Sequence, residues 1–292
     1  MAEAALAPPR VARVPRARIK LDWGGALGLV LTAAVVLVAL FGPRLAPHGP
    51  LEQTLEARLR PPAFAGGARA HWLGTDNLGR DILSRILVGA RPSLLVGLSA
   101  ILLAGAFGIA VGLVSGYYRG TLDKVVMRVA DVQLAFPAIL LALAILAVAG
   151  PSNLNLVVVM ALSWWVVFAR ITRGEVLALR EREFIGAAVA LGAGDRHIVA
   201  RHVLPNIAGT MLVLASVSLT RAILAEAALS FLGMGIQPPT PTWGGMISDG
   251  RAYLAVAWWV STMPGLALTL GVIGFNLLGD YLRDRIDPRL RS

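Results

Sequence analysis

Glu183-Phe-Ile-Gly-Ala-Ala-Val-Ala-Leu-Gly192 lies between long apolar segments and decides how the rest of the chain is interpreted. Its apolar residues recur with the period of one helix face, at Phe184, Ala187, Ala188 and Leu191. A chain that only had to reconnect two membrane spans would need no more than a few polar residues here. The pattern therefore predicts a shaped surface of small residues that docks onto a soluble partner.

A second short helix is predicted directly after this one. The glycines of Gly192-Ala193-Gly194 break the first helix, and Asp195 is expected to cap the second helix, which Pro205 should end. Residues 180–206 are thus predicted to form a helix–turn–helix. The alternative is a chance helical hairpin between two spans.

Composition places the chain in the membrane. Of its 292 residues, 57% are hydrophobic and 15% are charged, and the mean hydropathy is +0.70, which is typical of a polytopic membrane protein. The net charge of +10 would suggest nucleic acid as a partner in a soluble protein. Here the cations lie at the ends of apolar runs, which indicates membrane orientation and no nucleic-acid partner. The chain has no cysteine and therefore no thiol chemistry.

The lengths of the apolar runs predict six membrane-spanning helices. A helix needs about 20 apolar residues to cross a bilayer. Runs of at least that length cover residues 23–42, 92–118, 132–169, 207–232 and 252–279. The run 132–169 is too long for one span, and Gly150-Pro-Ser-Asn153 is expected to divide it into two. The predicted fold class is an all-α membrane protein with both termini on the same side.

The positions of the basic residues predict which side of the membrane faces the cytosol. They cluster before the first span, after the second span, around residues 180–206 and at the end of the chain, as Arg10, Arg13, Arg16, Arg18, Lys20, Arg119, Lys124, Arg128, Arg170, Arg173, Arg180, Arg182, Arg196, Arg201, Arg283, Arg285, Arg289 and Arg291. All four groups fall on one side of a six-span topology. The positive-inside rule makes that side the cytosol, so both termini are predicted to be cytosolic.

The segment before the second span carries an ordered pattern of turn and charged residues, His71-Trp-Leu-Gly-Thr-Asp-Asn-Leu-Gly-Arg-Asp-Ile-Leu-Ser-Arg85. Gly74 and Gly79 allow turns, Asp76 can cap, and Arg80 with Asp81 can tie the loop to the start of a helix. The motif residues are Gly74, Thr75, Asp76, Gly79, Arg80 and Asp81. An ordinary ordered outer loop is the alternative.

Three ionisable residues lie within or beside apolar runs, where charge is costly, so they are expected to face a cavity or a partner. Glu226 either lines the translocation path near the outer gate or bonds to a neighbouring subunit. For Arg221 a structural role is favoured over a path role, and Asp131 either caps a helix, bonds a neighbour or belongs to a cytosolic gate. The four histidines, His48, His71, His197 and His202, offer no close ligand set in the sequence, so no metal site is predicted.

Several motifs together resemble one family. Ala187, Ala188, Gly192, Leu204 and Pro205 match the coupling loop of ABC importer permeases, whereas Gly186 and His202 replace the Glu and Ile of that pattern. The outer motif, Asp131 with Phe136-Pro137, Glu226–Gly235 with Pro238–Gly250, and Asn276–Arg291 resemble the C-type permease subunit of peptide and nickel importers. The resemblance covers about residues 20–291.

The resemblance implies a type I importer core that pairs with a second, B-type permease. It further implies two ATPase subunits docked at residues 180–206, an extracytoplasmic substrate-binding protein, and the lipid bilayer of a bacterial or archaeal cytoplasmic membrane. The chain has no Gly-x-x-x-x-Gly-Lys-Ser/Thr loop. It is therefore expected to be a transport subunit and not an enzyme, with no cofactor of its own and with ATP and Mg²⁺ on the partner chains.

The same resemblance implies a domain order. It comprises a cytosolic tail (1–20), a first transmembrane helix (21–42), an outer segment with a short amphipathic helix (43–90), the permease core (91–283) and a cytosolic tail (284–292). Peptides are the expected cargo, and nickel or another small solute is the alternative. A secondary transporter would show inverted repeats, and an intramembrane enzyme would show convergent catalytic groups. Neither pattern is evident.

Overall fold

The computed structural model describes residues 23–286, and their regular structure is helical apart from one isolated β-bridge between Thr75 and Asp81. The helices are α1 (Trp23–Leu45), α2 (Ile82–Tyr118), α3 (Gly120–Leu134), α4 (Ala138–Ala149), α5 (Asn153–Arg180), α6 (Glu183–Ala190), α7 (Asp195–Ile198), α8 (Leu204–Phe231), α9 (Trp243–Gly250) and α10 (Trp259–Ile286). The predicted tail at 1–20 and the last part of the tail at 284–292 lie outside the described residues.

Five of the helical segments are long and apolar enough to cross a membrane: Trp23–Leu45, Ile82–Tyr118, Asn153–Arg180, Asp195–Phe231 and Trp259–Arg285. Helices α3 and α4 meet at an angle of 89° and make a sixth span if the bent pair is counted as one. The all-α fold with five or six candidate spans is confirmed. The orientation of the termini stays a prediction.

The third span is broken, which the continuous apolar run from residue 132 did not predict. The break falls at Ala135-Phe136-Pro137, and Pro137 occupies the N-cap position of α4. Proline disfavours helical geometry in the residue before it and cannot donate a backbone hydrogen bond, so α3 ends and α4 starts in a new direction. At 1.5 Å per residue, α4 is only about 18 Å long and could not cross a bilayer alone.

The most extensive packing between two helices in the fold joins α2 to α5, and small residues permit it. A Cβ atom on Gly108 would lie 2.4 Å from the carbonyl oxygen of Trp165, and one on Gly112 would lie 2.5 Å from that of Ala169. Glycines four residues apart let two membrane helices approach to backbone contact. This pair forms the central framework against which α8 and the broken span pack.

The predicted amphipathic helix of the outer segment is the beginning of α2. The helix starts at Ile82 and runs through Pro92 to Tyr118 without interruption, and is therefore about 55 Å long. Asp81 lies at one end of it and Tyr117 lies near the other. The outer segment and the segment around residues 183–203 consequently lie at opposite ends of the molecule.

Candidate coupling segment, groove and outer-face network

Within the predicted range 180–206, helix α6 and the start of a second helix are joined by a turn; we call residues 183–203 the coupling segment. Helix α6 ends in a turn in which Gly192 has φ +81° and the amide of Ala193 donates to the carbonyl of Ala188 at 3.0 Å. Glycine adopts this left-handed backbone at little cost in free energy, whereas a residue with a Cβ atom would be strained at position 192. Open space surrounds it, since no atom lies within 4 Å of an added Cβ.

Two local expectations for this segment are wrong. Gly194 occupies the N-cap position of α7, and the Asp195 carboxylate instead accepts a hydrogen bond from the Tyr117 hydroxyl at 2.9 Å. Pro205 does not end the second helix, because it lies in the first turn of α8, directly after a π-helical turn at Val199–Val203. The segment Asp195–Phe231 therefore continues into the membrane as one helical unit.

The coupling segment buries one side and exposes the other. Ile185, Ile198 and Val203 are at most 3% exposed and pack with Tyr117 and Val176 of the membrane helices. On the opposite side Phe184, Val189 and Leu191 are 44%, 57% and 89% exposed. Ala187 is exposed and Ala188 is half-buried between these two sides. An apolar surface is thus held rigidly at one end of the molecule with no cover from residues 23–286.

Tyr117 and Arg180 anchor this segment, and neither was singled out in the sequence as a functional residue. The Arg180 guanidinium lies 4.8 Å from the centre of the Tyr117 ring and donates to the Tyr117 carbonyl. The Tyr117 hydroxyl donates to Asp195, so α2, α5 and α7 meet at one side chain. Separations of more than 60 positions leave no local pattern that could have revealed these contacts.

A groove of about 620 Å³ opens beside the break in the third span. It is lined by Pro137, Ala138, Ile139, Ala142, Met160, Ser163, Trp164, Arg221, Leu224, Ala225 and Ala228. Arg221 is the charged side chain among these described residues, and within residues 23–286 no carboxylate forms an ion pair with it. Arg221 is thus an exposed cation in an apolar groove that lies within membrane-spanning helices, and its role stays a prediction.

Asp131 lies near the same break but does not line the groove. Its carboxylate forms an ion pair with Arg170, and both side chains are about half exposed. Two positions further on, the Gln133 side chain accepts a hydrogen bond from the indole N–H of Trp165 at 2.8 Å. Asp131 therefore helps to hold α3 on α5 in this conformation, and a role in a gate stays a prediction.

Glu226 is fully buried inside the chain, which differs from both sequence expectations. Its exposed fraction is 0%, so its side chain reaches neither the groove nor an outer surface of this chain. The Ser230 hydroxyl donates to Glu226 Oε1 at 2.7 Å, and Ser93 of α2 interacts with the same carboxyl. The position five residues after Arg221 turns Glu226 away from the groove and toward α2.

The turns of the outer motif form where the sequence predicts them, but the helix cap is Asp81 and not Asp76. Gly74 and Gly79 adopt φ +81° and +74° at two turns, and Asp81 is the N-cap of α2, where its side chain accepts from the amide of Ser84 at 2.8 Å. The Thr75 side chain accepts from the amide of Arg60 at 2.9 Å and donates to the carbonyl of Ala57. These bonds fasten the irregular outer segment onto the start of α2.

Asp76 lies at the centre of a buried charge network. Its carboxylate accepts from Arg80 Nε at 2.6 Å and lies 3.6 Å from Arg85 Nε. Asp249 of α9 approaches the same two arginines at 3.8 and 3.7 Å but is half exposed. Burial raises the pKa of Asp249, and Arg85 and Arg80 lower it in opposition. Asp76 is therefore the main counter-charge of the network.

The structure also brings together two histidines that the sequence treats as unrelated. The rings of His48 and His71 lie 4.8 Å apart, and both face Asp81. The expectation that the histidines offer no close ligand set is therefore wrong for this pair. Their separation of 23 positions, across a proline-rich segment, hid the contact.

These features define the class of protein: a multi-pass membrane permease with a coupling segment at one end and a groove within the spans. The chain matches the family described as binding-protein-dependent transport system inner membrane component over residues 108–292. It also matches the N-terminal transmembrane domain of oligopeptide transport permease C over residues 16–62.

Full-length relatives agree with these matches. The chain is 43% identical over 270 residues to the di/tripeptide transport system permease protein DppC of Pseudomonas aeruginosa, covering 92% of this chain and 89% of that protein. It is 45% identical over 274 residues to the dipeptide transport system permease protein DppC of Escherichia coli, covering 94% and 91%. It is 45% identical over 227 residues to the glutathione transport system permease protein GsiD of Pectobacterium atrosepticum, covering 78% and 75%.

The chain therefore belongs to the family of binding-protein-dependent transport system inner membrane components, with the type I importer permease fold. Members of this family are transport subunits. The resemblance drawn from the coupling-loop and outer motifs is confirmed.

Proposed function

We propose that this chain is a permease subunit of an ATP-driven importer that carries short peptides across a bacterial or archaeal cytoplasmic membrane. The relatives named above transport dipeptides, tripeptides or glutathione by their descriptions. These solutes share a peptide bond, a free carboxylate and small size. The same solutes suit a groove within the spans better than a free metal cation does, because the charged group in the groove is Arg221.

The observation that carries this proposal is the groove at the broken third span. Discontinuous membrane helices commonly surround substrate sites in transporters, since irregular backbone is tolerated in the bilayer only where it lines a cavity or is covered by protein. The apolar lining accepts varied side chains, and Arg221 offers a partner for a peptide carboxylate. Bidentate pairing between a guanidinium and a carboxylate is both strong and directional.

The importer assembles, in this proposal, from two permeases, two ATPase subunits and an extracytoplasmic binding protein. The ATPases dock on the exposed apolar side of the coupling segment, around Ala187, Ala188, Gly192, Ala193 and Gly194. ATP and Mg²⁺ bind those partner chains and not this one. Leu204 and Pro205 begin the membrane helix that leaves the coupling segment, and Asp195 ties that segment to Tyr117.

Peptide uptake by cells that express the complete importer tests the proposal. Arg221→Gln should lower uptake of a labelled dipeptide about tenfold or more, because a hydrogen bond to a charged group contributes about 1.5–3 kcal/mol. Arg91→Gln is the matched control, since Arg91 lines a second apolar groove of about 400 Å³ formed with α1, α8 and α10. Copurified partner subunits should be unchanged in both variants.

Equal uptake by the two variants would contradict the role given to Arg221. Uptake of nickel or of another non-peptide solute, with no uptake of di- or tripeptides by the unmodified importer, would instead support the alternative cargo. Purification of the unmodified chain without ATPases or a second permease would contradict the assembly.

A further inference from the structure

A cluster on the predicted outer face has the composition and geometry of a metal site. It contains His48, His71 and Asp81, and one ligand atom from each lies within 4.8 Å of the other two. His71 Nδ1 lies 3.0 Å from Asp81 Oδ1, and His48 Nδ1 lies 3.9 Å from Asp81 Oδ2. Three separate parts of the chain contribute: the loop after α1, the loop before α2 and the N-cap of α2. Of the residues described, these are the ones that form such a three-ligand group.

The nitrogen of His48 that faces the cluster is buried and lacks a hydrogen-bond partner within residues 23–286. A buried polar atom normally finds a partner, because leaving it unpaired costs free energy. The backbone of this loop is fixed independently, since the amide of His48 donates to the Ser84 hydroxyl at 3.1 Å. The fold therefore holds an unused imidazole nitrogen beside a carboxylate.

The carboxylate itself is oriented by neighbouring donors. Asp81 is 1% exposed, and its Oδ2 accepts from the amide of Ser84 at 2.8 Å and from the Ser84 hydroxyl at 2.7 Å. Such supporting hydrogen bonds fix the direction of metal-binding groups. The half-buried His71 and the partly exposed His48, at 15% and 31% side-chain exposure, leave a route by which an ion could enter.

The spacing suits a transition metal after small side-chain movements. A tetrahedral ion with nitrogen and oxygen ligands at 2.0–2.1 Å places those ligands about 3.3 Å apart. The distance of 3.0 Å ends on Asp81 Oδ1 and that of 3.9 Å on Asp81 Oδ2, and the three ligand atoms lie within 4.8 Å of one another, so they must approach by up to about 1.5 Å. Two imidazoles and one carboxylate select Zn²⁺ and similar ions over Mg²⁺ and Ca²⁺, which prefer an all-oxygen shell.

We propose that His48, His71 and Asp81 bind one Zn²⁺-like divalent transition-metal ion that ties the loops after α1 and before α2 to the N-terminal end of α2. The fourth ligand position would be taken by water. This site is separate from the groove and the coupling segment, and it serves to hold the outer segment in place. It does not depend on the identity of the transported solute.

The experiment uses the full-length chain in detergent or nanodiscs, purified without a histidine tag and stripped with a chelator. Co²⁺ reports the site by its visible absorption, and Zn²⁺ is then titrated by calorimetry and by its effect on thermal unfolding. We expect one Co²⁺ per chain, displaced by Zn²⁺, and a rise in Tm with Zn²⁺. His48→Gln and His71→Gln should each weaken binding at least tenfold and abolish the rise in Tm.

The matched control is the double variant His197→Gln/His202→Gln. Those two rings also lie close together, at 5.9 Å, but at the opposite end of the molecule and outside any three-ligand group of the described residues. Its Zn²⁺ affinity should equal that of the unmodified chain. His48→Gln removes a ring nitrogen that makes no hydrogen bond in the fold, so its metal-free Tm should be unchanged.

Two results would overturn the proposal. One is the absence of Co²⁺ and Zn²⁺ binding by the unmodified chain at 100 μM metal. The other is equal affinity in His48→Gln, His71→Gln and the double control, which would place binding elsewhere. In either case the cluster would be a hydrogen-bonded pair of His71 and Asp81 with His48 beside it.

Discussion

Replacing Asp76 by Asn should loosen the outer segment, because it removes the main counter-charge of two buried arginines. Asp76 is 3% exposed, and it lies 2.6 Å from Arg80 Nε and 3.6 Å from Arg85 Nε. The amides of Leu78 and Arg80 also donate to its Oδ1, at 2.9 and 3.0 Å. An Asn side chain can keep those two backbone hydrogen bonds through its carbonyl oxygen, so the substitution removes only the negative charge and the acceptor of Arg80 Nε.

The expected loss of stability of the outer segment follows from the burial of both Asp76 and its arginine partners. Removing one member of a buried ion pair typically costs about 3–5 kcal/mol, since a buried charge is left uncompensated. Asp249 remains at 3.8 and 3.7 Å and offsets part of this loss. We therefore expect Asp76→Asn to lower the local stability of the outer segment by about 3 kcal/mol. Asp249→Asn is the matched control: its carboxylate is half exposed and more distant, and should contribute at most about 1 kcal/mol.

Hydrogen exchange of residues 71–85 in the detergent-solubilised chain measures this difference, because it reports local opening. A loss of 3 kcal/mol corresponds to about 150-fold faster exchange, and a loss of 1 kcal/mol to about fivefold. Peptides from α5 should be unaffected in both variants and serve as the internal reference. If Asp76→Asn accelerated exchange no more than Asp249→Asn, the reasoning that makes Asp76 the central counter-charge would be refuted.

Three further predictions concern orientation, coupling and the buried carboxyl. In this cysteine-free chain, Ser152→Cys should react with an impermeant maleimide from outside and Leu191→Cys only from the cytosol, and the reverse pattern would refute the orientation. Gly192→Leu should abolish ATP-driven uptake while the chain still inserts, because a left-handed backbone with φ +81° costs a non-glycine residue about 1–2 kcal/mol. Gly186→Ala, at an open helical position, is its control, and normal uptake by Gly192→Leu would contradict the docking role. Glu226→Gln should keep uptake and assembly within about twofold, since the amide oxygen can still accept from Ser230, whereas Glu226→Ala should lower stability by about 1–3 kcal/mol; loss of uptake in Glu226→Gln with intact assembly would return Glu226 to the path.

The membrane helices could be predicted because the bilayer imposes one simple constraint on them. Each span must be long, apolar and internally hydrogen-bonded, so run length alone located most of them. Interruptions within a run are harder to predict, because they depend on how a single proline is accommodated. Pro137 ends one helix and begins another at a right angle, whereas Pro205 follows a π-helical turn and lets the helix continue. Both are prolines in apolar surroundings.

The features that could not be predicted from the sequence depend on contacts between residues far apart in the chain. Gly74 and Gly79 act through their own neighbours, so their turns were predictable from the sequence, whereas the cap predicted at Asp76 is made by Asp81. The contact of His48 with His71 and that of Tyr117 with Asp195 depend on how whole helices pack. The position of Glu226 likewise could not be predicted from local sequence. Its helix was correctly predicted, but the face on which it lies was decided by the packing of α8 against α2.

One helical unit connects the coupling segment to the groove, which gives the proposed link between ATPase docking and peptide transport a physical basis. The segment Asp195–Phe231 begins at the exposed apolar surface and carries Arg221 into the groove, roughly 40 Å further along at 1.5 Å per residue. A continuous helix moves largely as a rigid rod, so a displacement imposed at the coupling segment must reach the groove lining. The π-helical turn at Val199–Val203 is where such a rod can yield, because its hydrogen bonds depart from the α-helical pattern. Tyr117 and Arg180 join the segment to α2 and α5 beside that turn, so under the proposed docking a displacement of the segment would act on those helices as well as on α8.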